Sequence, residues 1–421
     1  FNRSDVSSYG GSITGHGTIV NAGSGRLVLA GDSSTFAGQT KVDAGTLLLT
    51  GKLNGAVTVN ANGTLQVGDG VRNGELTAST TNDGTLIFNQ IGDYDYTGAL
   101  SGNGGLIKQG EGTLLLSGDY GYTGSTVVQA GRVRLLAQLD SATDLVVDDG
   151  EFDLSGTDQT VAGLSGAGGT VSLGTSTLTV NQSSNTLFGG SFSGSGTIAL
   201  NGPSSAPVSI NLTGESFGSF TGALNLEGIV TRVNGSMGGT ITVGSDAALG
   251  GRGQVNNIVV GNGGTLLPGN SIGTLTAAGN VVFQAGSTYE VEVNADGESD
   301  KLIVGGTATI QGGTVSVLAA AGNYRFSNEY TIITAAGGVT GQFAATDVDL
   351  PFLTPELSYD ANNVRLVLTR NNRSFESVAV TPNQVAVALA LDASDDNASL
   401  SRAVAGQLEE AGAVRAFDAL S

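Results

Sequence analysis

A chain of 421 residues with a net charge of −20, no cysteine and one histidine excludes several function classes at once. The negative charge disfavours nucleic acid and anionic lipid as partners. So few His and Cys residues leave almost no ligands for zinc and no thiol nucleophile. With 68 glycines, 13% charged, 5% aromatic and 39% apolar residues, the composition fits one elongated repeat fold of short strands and tight turns, rather than disorder.

The chain opens at Phe1-Asn2-Arg3-Ser4 with neither Met nor signal peptide, which reads as a piece of a longer protein. Residues 13–27 (ITGHGTIVNAGSGRL) return as residues 100–114 (LSGNGGLIKQGEGTL). Their continuations, residues 27–49 and 114–136, match with one residue of slippage. The opening of this unit recurs at Leu164, Phe192 and Leu249, and YTGAL at Tyr96 returns as FTGAL at Phe220. Each copy supplies strands too short to bury an apolar face alone, so turns must stack into ladders of Leu, Val and Ile. Parallel pairing and the crossover rule then predict an all-β fold, a right-handed parallel β-helix (solenoid).

His16 falls in the variable slot of the repeat, where other copies carry Asn103, Ala167, Ser195 and Arg252, and nothing there completes a triad. Asp93 and Asp95 offer a carboxylate pair of the kind that cleaves glycosides, but a chain with 17 Lys and Arg lacks the basic groove for that work. Tyr96, Tyr122, Phe36 and Phe220 precede a small residue and Gly in the repeat and are expected to stack inside. Tyr94 and Tyr120 are the candidate exposed contacts for a ligand. Asp148, Asp149, Glu151, Asp153 and Asp158 fit no calcium loop and read as a solvated turn within a scattered acidic coat. Ser216 and Ser271 each sit in a G-x-S-x-G string, yet no helical pattern follows either, as a nucleophile elbow demands. No catalytic, cofactor or metal residue is assigned.

From residue 249 to 318, short apolar runs alternate with Gly, Asn and Asp, and the stretch contains PGNSIGTL (268–275) and GSTYEVEVNADGESDKL (286–302). Between residues 288 and 369 the strands lengthen and large side chains gather: Tyr324, Phe326, Tyr330, Phe343, Pro351, Phe352, Pro355 and Tyr359. They suit a β-sandwich-like cap over the open edge of the last turn. Thr381, Pro382 and Gln384 then mark a helix start, with Val385 to Leu391 continuing it. Leu400, Val404, Leu408, Ala411, Val414, Phe417 and Leu420 keep a helical period. The predicted organisation is a repeat region 1–250, last turns and cap 251–370, and a short helical tail 371–421.

The blocks PGNSIGTL and GSTYEVEVNADGESDKL resemble the end of the passenger domain in type V autotransporters. The unit at residues 104–131 resembles the passenger-associated transport repeat, and RAFDALS at the end resembles the junction into the autotransporter barrel, whose strands are absent. The resemblance implies an autochaperone cap that folds first outside the cell and templates the remaining turns. Pro268, Asn270, Ile272, Leu275, Tyr289, Val291, Leu302 and Val304 would then pack and nucleate, with no chemistry to perform. It implies as partners the protein's own outer-membrane β-barrel translocator and the outer-membrane assembly machinery. It implies a location at the cell surface or beyond, anchored through the barrel, with a protease or esterase carried upstream as effector. A chain without Cys suits export through an oxidising compartment. The alternatives are an adhesin that binds a host receptor or glycan through loops of the rod and, third, a polysaccharide-degrading β-helix enzyme.

Overall fold

Alternating apolar residues decide how the strands stack. Thr113–Leu116 buries Leu114 and Leu116, and Arg132–Leu135 buries Val133 and Leu135. The two pair in parallel, and the column runs on from Leu114 through Val133, Phe152 and Val171 to Phe192. A second column holds Leu27, Leu47, Leu65, Leu86, Leu106, Thr126, Leu145 and Leu164, at steps of 18 to 21 residues. Each Leu so buried stabilises the fold by about 1.5–3 kcal/mol. One turn of the parallel β-helix thus takes 18 to 21 residues, and each long repeat of the sequence, residues 13–49 and 100–136, supplies about two of them.

A computed structural model describes residues 1–154, 156–203, 207–325, 327–394 and 398–421; Phe326, counted above among the cap's large side chains, lies outside the described residues. The chain forms two units, Phe1–Asn225 and Leu226–Ser421. In the first, glycine is required at corners by close approach as much as by turn conformation. A Cβ on Gly104 would lie 2.3 Å from the carbonyl oxygen of Gly84, and one on Gly124 would lie 2.3 Å from that of Gly104. Any side chain there would push two turns apart.

The second unit also begins as a parallel coil, with Leu249, Leu266, Tyr289 and Val315 in one column and Leu275, Leu302 and Ile333 in another. Its turns lengthen, the first column stepping by 17, 23, 26 and then 31 residues to Thr346. In one sheet the parallel order then ends. Ser327–Ala335 pairs antiparallel with Asn363–Arg370, which pairs antiparallel with Leu353–Tyr359. Pro355, with no N–H to offer a further strand, sits on that edge strand and blunts it. The opposite sheet of the cap, Thr288–Val293, Thr314–Ala319 and Ala345–Val348, remains parallel.

Among the described residues three α-helices follow: α1 (Pro382–Asp392), α2 (Ser399–Ala405) and α3 (Glu410–Leu420). The start of α1 is the capping box expected from sequence, with Gln384 N donating to Thr381 Oγ1 at 3.3 Å and Thr381 N donating to Gln384 Oε1 at 3.0 Å. The continuous stripe expected from Leu400 to Leu420 is broken. The chain leaves helix at Gly406, where a Cβ would meet the carbonyl oxygen of Gly322 at 1.8 Å. Val404 and Phe417 are buried, while Leu400, Leu408 and Leu420 face solvent. The tail is a folded cluster: Phe375, Val378, Ala388, Leu391, Val404, Ala405, Ala413 and Phe417 share one core with Phe352 of the cap. Among the described residues no helix is long and apolar enough to cross a membrane.

Candidate functional site

The region singled out at residues 268–304 is where the parallel coil passes into the cap. Leu275, Tyr289, Val291, Leu302 and Val304 are all buried in its strands. Pro268, also buried, ends the strand Thr265–Pro268. Gly269 follows in a left-handed conformation, φ +90°, exchanging two backbone hydrogen bonds with Gly251. Ile272 is half-buried and Asn270 is exposed, its Nδ2 donating to Asn234 Oδ1 at 2.9 Å. Tyr289 links the two sheets of the cap: its hydroxyl donates to the carbonyl of Ile332 at 2.7 Å, and its ring packs on Phe283 (5.5 Å) and Phe343 (6.1 Å between centroids).

Sequence reasoning missed the residue that ties the two signature blocks together. Asp300 is buried, and its carboxylate accepts the backbone N–H of Gly273 at 2.8 Å and that of Glu292 at 2.9 Å. One group therefore fastens the PGNSIG loop to the strand that carries Tyr289. Burial pushes the Asp300 carboxyl up to about 7; the Glu292 and Gly273 N–H groups oppose that rise, and the Glu292 and Glu290 carboxylates add to it. The available signal was an acid placed directly before an apolar strand, Lys301–Val304.

Arg370, last residue of the cap's closing strand, joins that strand to the tail. Its guanidinium lies 4.5 Å from the Phe375 ring centroid and 5.3 Å from that of Phe352. Its nitrogens donate to the carbonyls of Asn371 (2.8 Å) and Arg373 (2.6 Å). A cation over two rings that also satisfies two carbonyls is a rigid contact.

The two tyrosines expected at the surface do not stand there as free contacts. Tyr120 is 3% exposed, and its hydroxyl donates to the carbonyl of Tyr96 on the preceding turn. Tyr94 is half-buried, and its hydroxyl donates to Leu76 O at 2.6 Å and accepts from Leu76 N at 2.8 Å. In a stacked coil each hydroxyl finds a carbonyl one turn back, which draws the ring inward. Tyr96, Tyr122, Phe36 and Phe220 are buried as well.

The acidic coat also has a bonding role. Asp83, Asp93 and Asp158 accept the backbone N–H of Asn103 (3.0 Å), Thr113 (2.8 Å) and Thr177 (2.8 Å), each on the following turn. In the second unit Asn257 does the same for Asn280, and Asn280 for Thr307, at 2.9 Å each. Asp95, proposed partner of Asp93, accepts the Ser117 hydroxyl at 2.5 Å. Ser216 is buried in the two-residue strand Glu215–Ser216 and accepts the Phe192 N–H at 2.8 Å. Ser271 lies in the exposed loop after Gly269, with a strand beyond it, and His16 is exposed.

Comparison with known proteins places these features in context. The passenger-associated-transport-repeat family matches residues 19–49, 40–67 and 106–135, overlapping both long repeats read from the sequence. The chain is similar to an extracellular serine protease of Serratia marcescens, 37% identical over 172 residues, which is 39% of this chain and 16% of that protein. A second extracellular serine protease of Serratia marcescens is 35% identical over 133 residues, 30% of this chain and 13% of that protein. The adhesin BmaC autotransporter of Brucella suis biovar 1 (strain 1330) is 30% identical over 366 residues, 70% of this chain and 10% of that protein. The chain thus spans between 10% and 16% of the length of these relatives.

Proposed function

We propose, on the premise that this chain is an autotransporter passenger β-helix bearing passenger-associated transport repeats, that it serves as a surface stalk and export module. The coil holds an upstream effector away from the bacterial surface. The C-terminal region folds first outside the cell and drives secretion, because a folded turn cannot slide back through a pore. One observation supports this: the parallel coil ends in a region cross-linked by Tyr289 to Ile332 and by Asp300 to Gly273 and Glu292, with its far edge closed by the antiparallel strands 353–359 and 363–370. A mid-coil turn instead depends on a neighbour at each side.

The partners in this account are the protein's own outer-membrane barrel and the outer-membrane assembly machinery, with the product secreted or held at the cell surface. Protease is part of the name of the two Serratia marcescens relatives alone; in this reading the present segment is a non-catalytic stalk, with an effector domain upstream of it. The test is surface display of the full-length protein in its own host. Tyr289→Ala and Asp300→Ala should leave the passenger stalled and protease-sensitive, whereas Leu114→Ala in the first unit should be displayed. Display of Tyr289→Ala at the wild-type level would remove the basis for a C-terminal folding drive.

Adhesion is the alternative, supported by the name of the Brucella relative and by exposed apolar side chains on loops of the first unit. Val71 is 76% exposed and Ile91 51% exposed, and the Ile91 N–H donates to Asn73 Oδ1 at 3.0 Å, two residues from Val71. An adhesin would lose host-cell binding on Val71→Ser with Ile91→Ser; a stalk would not.

A further inference from the structure

Lys108 occupies a position where the core calls for an apolar side chain. Its strand register sets it between Phe88 and Val128, and it has no exposed surface. Its Nζ donates to three backbone carbonyls: Gln109 at 2.7 Å, Gly110 at 2.5 Å and Ala130 at 3.2 Å. The first two belong to its own turn and the third to the next. Two corner glycines shape the enclosure. Gly110 and Gly131 have φ of +70° and +63°, and a Cβ on Gly131 would lie 2.7 Å from the ammonium. Burial pulls the Lys108 ammonium down to about 8, and the nearby acids Glu111 and Asp93 oppose that fall; the groups at hydrogen-bond distance are carbonyls.

We propose that this enclosure is a cation site built by two successive turns and filled by the chain's own ammonium, which locks those turns in register. A buried charge is tolerated only where acceptors surround it. The three carbonyls converge in one register alone, since a slip of one residue reverses every side chain between core and solvent. The ligand class is a primary ammonium. Shortening the side chain leaves a carbonyl pocket that takes a small alkylammonium and gains nothing from tetramethylammonium, which has no N–H to donate.

Two measurements on the whole chain test this. Acetylation of the folded protein, read residue by residue by mass spectrometry, should modify exposed Lys52 and spare Lys108 until denaturant is added. In thermal unfolding, Lys108→Met should melt several degrees below wild type, because it keeps the length but leaves carbonyls without a donor. Lys108→Ala should also melt lower and recover in methylammonium chloride beyond its response to tetramethylammonium chloride at equal ionic strength. Acetylation of Lys108 as fast as Lys52, a Lys108→Met melting point at or above wild type, or equal rescue by both salts would each overturn the proposal. If the Ala variant fails to fold, the labelling and Met results decide alone.

Discussion

Asp300 Oδ1 lies 2.8 Å from the backbone nitrogen of Gly273, so a buried carboxylate holds the loop after Pro268 against the cap. With its second oxygen on the Glu292 N–H at 2.9 Å, the group satisfies two backbone donors. Asp300→Ala orphans both, and the expected loss is roughly 2–4 kcal/mol of stability in the C-terminal unit. Guanidinium denaturation followed by circular dichroism measures it; a loss within error of zero would mean water replaces the carboxylate.

The same residue gives that unit a pH dependence. Its carboxyl is raised from 3.8 to about 7 in the fold, so the folded state holds the proton more tightly than the unfolded chain does. The resulting stabilisation is complete below the unfolded value and is lost as pH rises through about 7. Wild type should therefore show a lower denaturation midpoint at pH 8 than at pH 5. Asp300→Asn, which keeps one acceptor and does not titrate, should show a flatter profile; an unchanged slope would assign the dependence to other groups.

Tyr289 separates hydrogen bonding from packing. Tyr289→Phe removes only the bond to Ile332 O and should cost about 1–2 kcal/mol. Tyr289→Ala also removes the ring from Phe283 and Phe343 and should cost about 3–5 kcal/mol. Equal melting points for the two variants would contradict a packing role.

Glycine placement supplies a paired test in the repeat. Gly104→Ala drives a Cβ to 2.3 Å from the Gly84 carbonyl and should destabilise the first unit by about 2 kcal/mol or more, as expected of overpacking. Gly121→Ala meets nothing within 4 Å and should be neutral within about 0.5 kcal/mol. Chemical denaturation of both reads the contrast directly.

Loss of Arg370 should uncouple the tail from the cap. Arg370→Ala removes a guanidinium stacked on Phe375 and Phe352, and limited proteolysis should then release residues beyond about 371 while the coil stays protected. Cleavage spread evenly over the unit would place the hinge elsewhere.

What was legible in the sequence was periodic or local. The Leu and Val columns follow from the repeated short apolar strands, and the α1 start follows from Thr381, Pro382 and Gln384 standing together. What was not legible depended on partners a turn away. Tyr120 finds a carbonyl 24 residues back, which no local pattern announces, so its exposure was misjudged. The stripe from Leu400 to Leu420 kept a helical period, but Gly406 must pass against Gly322, and that long-range contact broke the helix. Asp300 was lost in the scattered acidic coat and nothing in the sequence marked Lys108, because the partners of both are backbone groups, which carry no signature in a side-chain alphabet.

The most direct test of templated folding is stepwise guanidinium unfolding of the purified chain with limited proteolysis at each step. A C-terminal folding unit predicts a resistant fragment that begins between about residues 226 and 250, reaches at least to Arg370, and survives after the N-terminal turns are cleaved. A single cooperative transition in which both halves become cleavable together, or a surviving N-terminal fragment, would contradict the account.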